Sequence, residues 1–452
     1  MSLSPIQRLP LTGADSFLRA FDWQTRRRNQ ASHLSQLVLR LGPGFDAAHF
    51  ETVLHEVARA CPILRAPIRR FGLGAAVYRL DLAELAPLPS IATHRVDTPR
   101  DAHGTPRVFF DRLNSKFSLR RGELLAVDQV PRADGTDLAL TWAHMLMDGS
   151  GSENFLAHLS AVAAGERDPR DLPADEWSPD AGLGKATEGE TFRQRGDRAR
   201  TWQAHMESFA AAPPRSLAGP LVTVPQQLEY ELDSFSTEET KLALENAKSR
   251  AGFLTPMLFH LAAAIRAHAE VLQQRGVSPE SFVVPLPVNV RPKGAEGALF
   301  RTRVSMLWFQ VRPEHVETVD GLIAELKRQR HEMIKQGAVE NGLAAMEMAR
   351  YAPMRVYAHM ARRGFGGELC SFFFAYTGEF APGVDQLCGA AIENGYHTPS
   401  VPASPGSGVI VCLRGDRLNV VLVGQRRAVS EAETDRLRAS LRRDLLTPEA
   451  SA

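Results

Sequence analysis

The sequence predicts an α/β protein: two mixed sheet-and-helix halves joined by a Pro/Gly-rich crossover. Three observations carry this. Helical and strand periodicities interleave along the chain, with no internal repeat of short period. Between Gly165 and Pro220 the composition shifts to Pro169, Pro173, Pro179, Gly182 and Gly184, then Pro213-Pro214, which divides the chain in two. The length, 452 residues, suits two substantial domains. The expected division is 1–165, a crossover at 166–220, and 221–452.

The elements follow in order. Asp46 caps a helix carrying Phe50, Val53, Leu54, Val57 and Cys61 on one face, and Pro62 ends it. Leu138 to His144 alternates as a strand, with Leu138, Leu140 and Trp142 on one face and His144 in phase with them. A glycine-rich corner, Asp148 to Gly151, leads into a helix with Phe155, Leu156, Leu159 and Val162. Within the crossover, Thr191 to Phe209 has an amphipathic helical pattern. A strand near Gln226 to Leu232 opens the second half, and Ser236 with Glu239 forms a capping box for the next helix. Thr255-Pro256 opens a long helix through about Gln274. Strands are expected at Phe282–Val288, Val304–Val311, Phe372–Tyr376, Val409–Leu413 and Leu418–Val423. Arg414 to Arg417 is a hairpin turn between the last two. Ser430 and Glu433 cap a final helix that buries Leu437, Leu441 and Leu445.

Composition removes several function classes. Hydrophobic residues make up 44% and charged residues 23%, which excludes disordered, collagen-like and coiled-coil readings. Lys+Arg 53 against Asp+Glu 52 leaves net +1, without the basic excess a phosphate-tracking nucleic-acid protein needs. Cys61, Cys370, Cys388 and Cys412 lack zinc-ribbon or disulfide-framework spacing, so no metal site and a reducing compartment are expected. The N-terminal segment has no signal-like apolar region, and no window has the eighteen or so apolar residues of a spanning helix. A cytoplasmic, soluble protein with a small-molecule partner is the expectation.

The chemistry concentrates in Thr141-Trp-Ala-His144-Met-Leu-Met-Asp148-Gly149. With 14 histidines in the chain, a chance His-x-x-x-Asp-Gly is expected on the order of 0.05 times. A neutral imidazole at a strand end, beside a cavity, can take a proton from a hydroxyl or amine attacking a carbonyl carbon. Asp148 needs a cation if buried, and Arg291 in Pro287-Val-Asn-Val-Arg291-Pro292 is the best candidate. Gly149 would allow a close backbone approach. Taken alone, a strand-end histidine is more often a packing residue, and Asp148-Gly149 is simply a turn.

The His144-x-x-x-Asp148-Gly149 motif resembles the signature of the acyltransferase superfamily that includes chloramphenicol acetyltransferase, condensation domains, wax ester synthases and plant acyl-CoA acyltransferases. Leu9 to Asp15 resembles the opening segment of condensation-type and wax-synthase-type members. Cys61-Pro-Ile-Leu-Arg65 is similar to a recurrent helix end. Lys116–Leu119 with Gly122–Leu125 resembles the strand pair before the motif, and Pro287–Pro292 the superfamily's "PVxxRP" segment. The resemblance implies a pseudo-dimer of two mixed-sheet lobes with a tunnel between them, where thioester donor and acceptor meet. It makes His144 the general base, Asp148 the structural partner of Arg291, and Gly149 part of the turn. Ser371, Tyr376, Thr377 and the Gly149 amide become candidate oxyanion or tunnel groups. It implies no bound cofactor: coenzyme A or a phosphopantetheinyl carrier serves as co-substrate, an acyl carrier protein is a possible partner, and an alcohol or amine accepts.

Three departures bear on the subfamily. Ala143 stands where condensation domains and wax synthases carry a first histidine. The plant-type Asp-Phe-Gly-Trp-Gly segment is absent, and no matching asparagine follows Arg291 within Gly297 to Ser305. The expected activity is O-acyl transfer. Its rivals are an amide-forming condensation enzyme and a non-catalytic domain that docks a carrier protein. Among weaker features, His397 before Pro399 reads as a surface loop residue or a channel wall. Met346, Met348, Met354 and Met360 read as core or tunnel wall. Arg26–Arg28 and Arg362-Arg363 read as solvated clusters able to meet phosphates.

Overall fold

The computed structural model describes residues 8–448, apart from 73, 96–103, 174–175, 179–188, 220–222, 293–296, 363–364 and 403. The boundary expected at 220/221, Pro179, Gly182, Gly184 and Arg363 lie outside the described residues.

Local chemistry sets the helices where the sequence puts them. Asp46 accepts from the His49 N–H at 2.9 Å and starts helix Ala47–Ala60, whose Phe50, Val53, Leu54 and Val57 are buried. Capping boxes open helices Gly13–Arg28 (Thr12 with Asp15), Phe192–Ser208 (Thr191 with Gln194) and Thr237–Ala251 (Ser236 with Glu239). Helix Pro256–Gln274 begins at its proline, although Thr255 does not cap it: its Oγ1 donates back to Ala251 O at 2.6 Å.

Two principal sheets result. The first runs Gln386–Leu387, Ala390–Pro399, Leu34–Leu41, Gly135–Ala143, Leu125–Arg132, Ile91–Thr93 in spatial order. Strand Ala390–Pro399, from late in the chain, pairs antiparallel with Leu34–Leu41 and ties the second half of the sequence into the first half's sheet. The second sheet runs Phe373–Glu379, Ser407–Arg414, Arg417–Gln425, Leu228–Ser234, with the first pair parallel. A separate hairpin-like pair joins Phe282–Asn289 to Val304–Val311. One apolar core lies mostly in the first half, around Trp142, Phe50 and Phe155. Another lies in the second half, around Phe259, Phe309 and Leu441. Among the described residues no helix is long and apolar enough to cross a membrane. The α/β architecture of mixed sheets agrees with the sequence expectation.

Three local expectations are corrected. Lys116–Leu119 does not form a strand; a 3-10 turn at Leu119–Arg121 precedes the single strand Leu125–Arg132. Gly122, at φ 77, explains the turn: a Cβ there would sit 2.1 Å from Arg65 O. His397 is not a loop residue but lies buried within strand Ala390–Pro399. Arg362 is buried, not solvated.

Candidate active site

Strand Gly135–Ala143 ends at a short 3-10 turn, His144–Leu146, and Asp148 then starts helix Gly149–Ala163. Trp142 is fully buried, whereas His144 keeps part of its surface accessible.

The loop is pinned from several directions. Trp142 Nε1 donates to Met147 O at 2.8 Å, and Tyr78 OH donates to Met145 O at 2.9 Å. The His144 N–H donates to His33 O at 3.1 Å, and the Arg301 N–H to Leu146 O at 2.6 Å. Arg301 adopts φ 62, is fully buried, and donates from Nη2 to the carbonyls of Glu176 and Ser178. Residues 299–303 therefore form a strap from the second half laid across the histidine loop. Glu176 accepts from the Leu299 and Phe300 N–H groups, and Asp15 from that of Thr302.

Asp148 is wholly engaged. Its Oδ1 accepts from the Gly151 N–H at 2.8 Å, and its Oδ2 from the Arg303 N–H at 2.7 Å. Arg291 Nη1 lies 2.9 Å from Oδ1, both side chains being buried. Burial pushes the Asp148 carboxyl up, but the Arg291 guanidinium and these N–H donors together outweigh it and hold it below its ordinary value. The close approach expected at Gly149 falls at Gly151. A Cβ on Gly151 would stand 2.4 Å from Leu299 O, whereas one on Gly149 would meet only Thr377 Cγ2 at 3.9 Å. Gly149 and Thr377 thus face each other across the two halves.

The three second-half candidates part ways. Thr377 sits where strand Phe373–Glu379 shifts register between Tyr376 and Gly378, the kind of irregularity that re-aims a side chain. Its Oγ1 is buried with no hydrogen-bond partner among the described residues. The Tyr376 ring instead stacks on His260, centroids 5.2 Å apart, and packs against the second core. Ser371 Oγ accepts from the Val283 N–H at 3.1 Å, which commits it to the neighbouring strand Phe282–Asn289.

Two histidines beside His144 carried no motif in the sequence. His33 Nε2 lies 3.2 Å from His144 Nδ1, with ring centroids 5.0 Å apart. His397 Nε2 lies 2.9 Å from Glu153 Oε1, on the helix that Asp148 caps, and both are buried. Burial pushes the His144 imidazole down to about 4; the Asp148 carboxylate works against that shift and His397 adds to it. Burial, then the neighbouring His144, drives His33 well below its ordinary value as well. At neutral pH both rings are uncharged. His144 Nε2 has no partner among the described residues, so a lone pair there is available to a substrate.

No protein-family model and no curated protein sequence matches the chain. Solved structures do. The chain is similar to trichothecene 15-O-acetyltransferase of Fusarium sporotrichioides, with TM-score 0.71 and 12% identity, covering 98% of this chain and 97% of that one. It is similar to the first condensation domain of the CDA synthetase, with TM-score 0.67 and 15% identity over 99% and 98%. Polyketide synthase associated protein 5 of Mycobacterium tuberculosis matches with TM-score 0.63 and 14% identity over 97% and 98%. The chain shares the mixed α/β fold of these acetyltransferase and condensation-domain structures over nearly its whole length.

Proposed function

We propose that this chain is an acyltransferase that moves an acyl group from a thioester to a hydroxyl acceptor, with His144 as general base. One observation carries the reading: an uncharged, partly accessible imidazole whose Nδ1 is occupied and whose Nε2 is not, at the end of a loop fixed by both halves. In the reaction, His144 Nε2 takes the acceptor's O–H proton as the oxygen attacks the thioester carbonyl carbon. The C–O bond forms, negative charge moves to the carbonyl oxygen, and the C–S bond breaks as the oxyanion collapses. His144 returns the proton to the departing sulfur. Thr377 presents its Cγ2 methyl to Gly149, and its Oγ1, buried without a hydrogen-bond partner among the described residues, supplies an O–H toward the oxyanion. Asp148 moves no proton; all its contacts serve Arg291 and backbone N–H groups.

Two solved structures of similar fold support the substrate class: one is a trichothecene 15-O-acetyltransferase, and a mutant of the starter condensation domain of rhizomide synthetase was solved in complex with C8-CoA and Leu-SNAC. The donor is coenzyme A or a phosphopantetheinyl carrier, a co-substrate that leaves with each turnover. Incubation of the purified protein with a panel of acyl-coenzyme A and carrier-bound donors, and with alcohol and amine acceptors, followed by mass spectrometry, tests this. The expected product is an ester with release of one thiol. Amide products alone would move the activity to condensation chemistry. No transfer from any donor by folded protein would leave a docking domain.

A further inference from the structure

Strands Leu34–Leu41 and Gly135–Ala143 pair antiparallel, with Leu34 opposite Ala143. One step beyond that ladder, His33 stands opposite His144, and the His144 N–H to His33 O bond continues it. The sheet itself therefore sets the two rings side by side, 3.2 Å apart from Nδ1 to Nε2. His33 is held in turn: its own N–H donates to Asp22 Oδ1 at 3.0 Å, and its ring meets Phe21 edge-on with centroids 5.5 Å apart. At 3% exposure it is out of a substrate's reach.

We propose that His33 is a positioning residue for the base: its Nε2 accepts the Nδ1 proton of His144, which leaves the His144 lone pair on Nε2. The inference rests on His144 being the base. One proton lies between two neutral rings. If His33 owned it, His144 would carry its hydrogen on Nε2 and could not accept another. An acceptor hydroxyl donating to Nε2 selects the opposite arrangement, because which ring nitrogen is protonated follows from the bond the other one makes. His33 Nδ1 has no hydrogen-bond partner among the described residues, so that end of the ring contributes no bond favouring either arrangement. When His144 takes the hydroxyl proton, both its nitrogens carry hydrogen, and the N–H to His33 becomes charge-assisted. His33 thus takes the orienting place that a carboxylate takes elsewhere, Asp148 being bound to Arg291.

The test compares His33→Phe, His33→Asn and His33→Gln with His144→Ala in the transfer assay. Phenylalanine keeps the ring's bulk against Phe21 but offers no acceptor. Glutamine places its amide oxygen near the Nε2 position, whereas asparagine reaches only toward Nδ1. The expected result is a loss in kcat of roughly ten- to a hundredfold for Phe and Asn, with KM and Tm nearly unchanged, and recovery to within about threefold for Gln. Full kcat in His33→Phe, or Gln performing no better than Asn, overturns the proposal. If His33→Phe does not fold, the Gln-against-Asn comparison decides. Full activity in His144→Ala would remove the base itself, a failure distinct from loss of its positioning partner.

Discussion

The molecule builds the same local unit twice and uses it differently. In the first half, hairpin Leu125–Arg132 and Gly135–Ala143 runs through a loop at 144–148 into helix Gly149–Ala163. In the second, hairpin Ser407–Arg414 and Arg417–Gln425 runs through a loop of equal length, 426–430, into helix Glu431–Leu446. Each helix is capped by the last loop residue, Asp148 in one case and Ser430 in the other. The surroundings differ. The second loop leaves Arg426, Arg427 and Ser430 exposed, with Arg275 binding the capping Glu433 from the side. The first is buried except at His144, roofed by residues 299–303 and closed by the Arg291–Asp148 pair. Strand, loop and helix alone do not set the candidate site apart; what the other half lays upon them does.

That contrast has measurable consequences. Asp148→Asn keeps an oxygen that can cap the Gly151 N–H but removes the charge facing buried Arg291. Because an uncompensated buried charge costs much more than a lost cap, unfolding free energy should fall by about 3–5 kcal/mol, with activity falling alongside. Denaturant melts check this, and an unchanged midpoint with lost activity would assign Asp148 direct chemistry instead. Thr377→Val keeps the shape of the strand irregularity and deletes one O–H. With one oxyanion donor gone, kcat should drop about ten- to a hundredfold while KM holds, and steady-state kinetics that show no drop would send the oxyanion elsewhere. The matching change in the second loop, Ser430→Ala, should cost only about 1 kcal/mol, and kcat should not move. A kcat loss there would mean that the two loops are functionally linked.

Much of the fold was legible because it is written in local chemistry. Capping residues and apolar stripes placed helices Ala47–Ala60 and Phe192–Ser208 within a residue or two and the starts of Thr237–Ala251 and Glu431–Leu446, and period-two alternation placed strand Gly135–Ala143. What depends on strand pairing was not legible. His33 becomes a neighbour of His144 only when Leu34 is known to face Ala143, and nothing in Ser32-His33-Leu34 announces that. His397 looked like a loop residue because Pro399 follows, yet its strand ends at that proline and pairs with Leu34–Leu41. Similarly, Ser371, Tyr376 and Thr377 share one short segment, and only backbone register separates the residue facing Gly149 from the two committed to packing.

The central claim is that one imidazole removes the acceptor's proton, and single-turnover acyl transfer by His144→Ala tests it most directly. The account predicts a rate at least about a hundredfold below the parent's, in a protein that melts at the same temperature. A His144→Ala protein that transfers acyl groups as fast as the parent would contradict it.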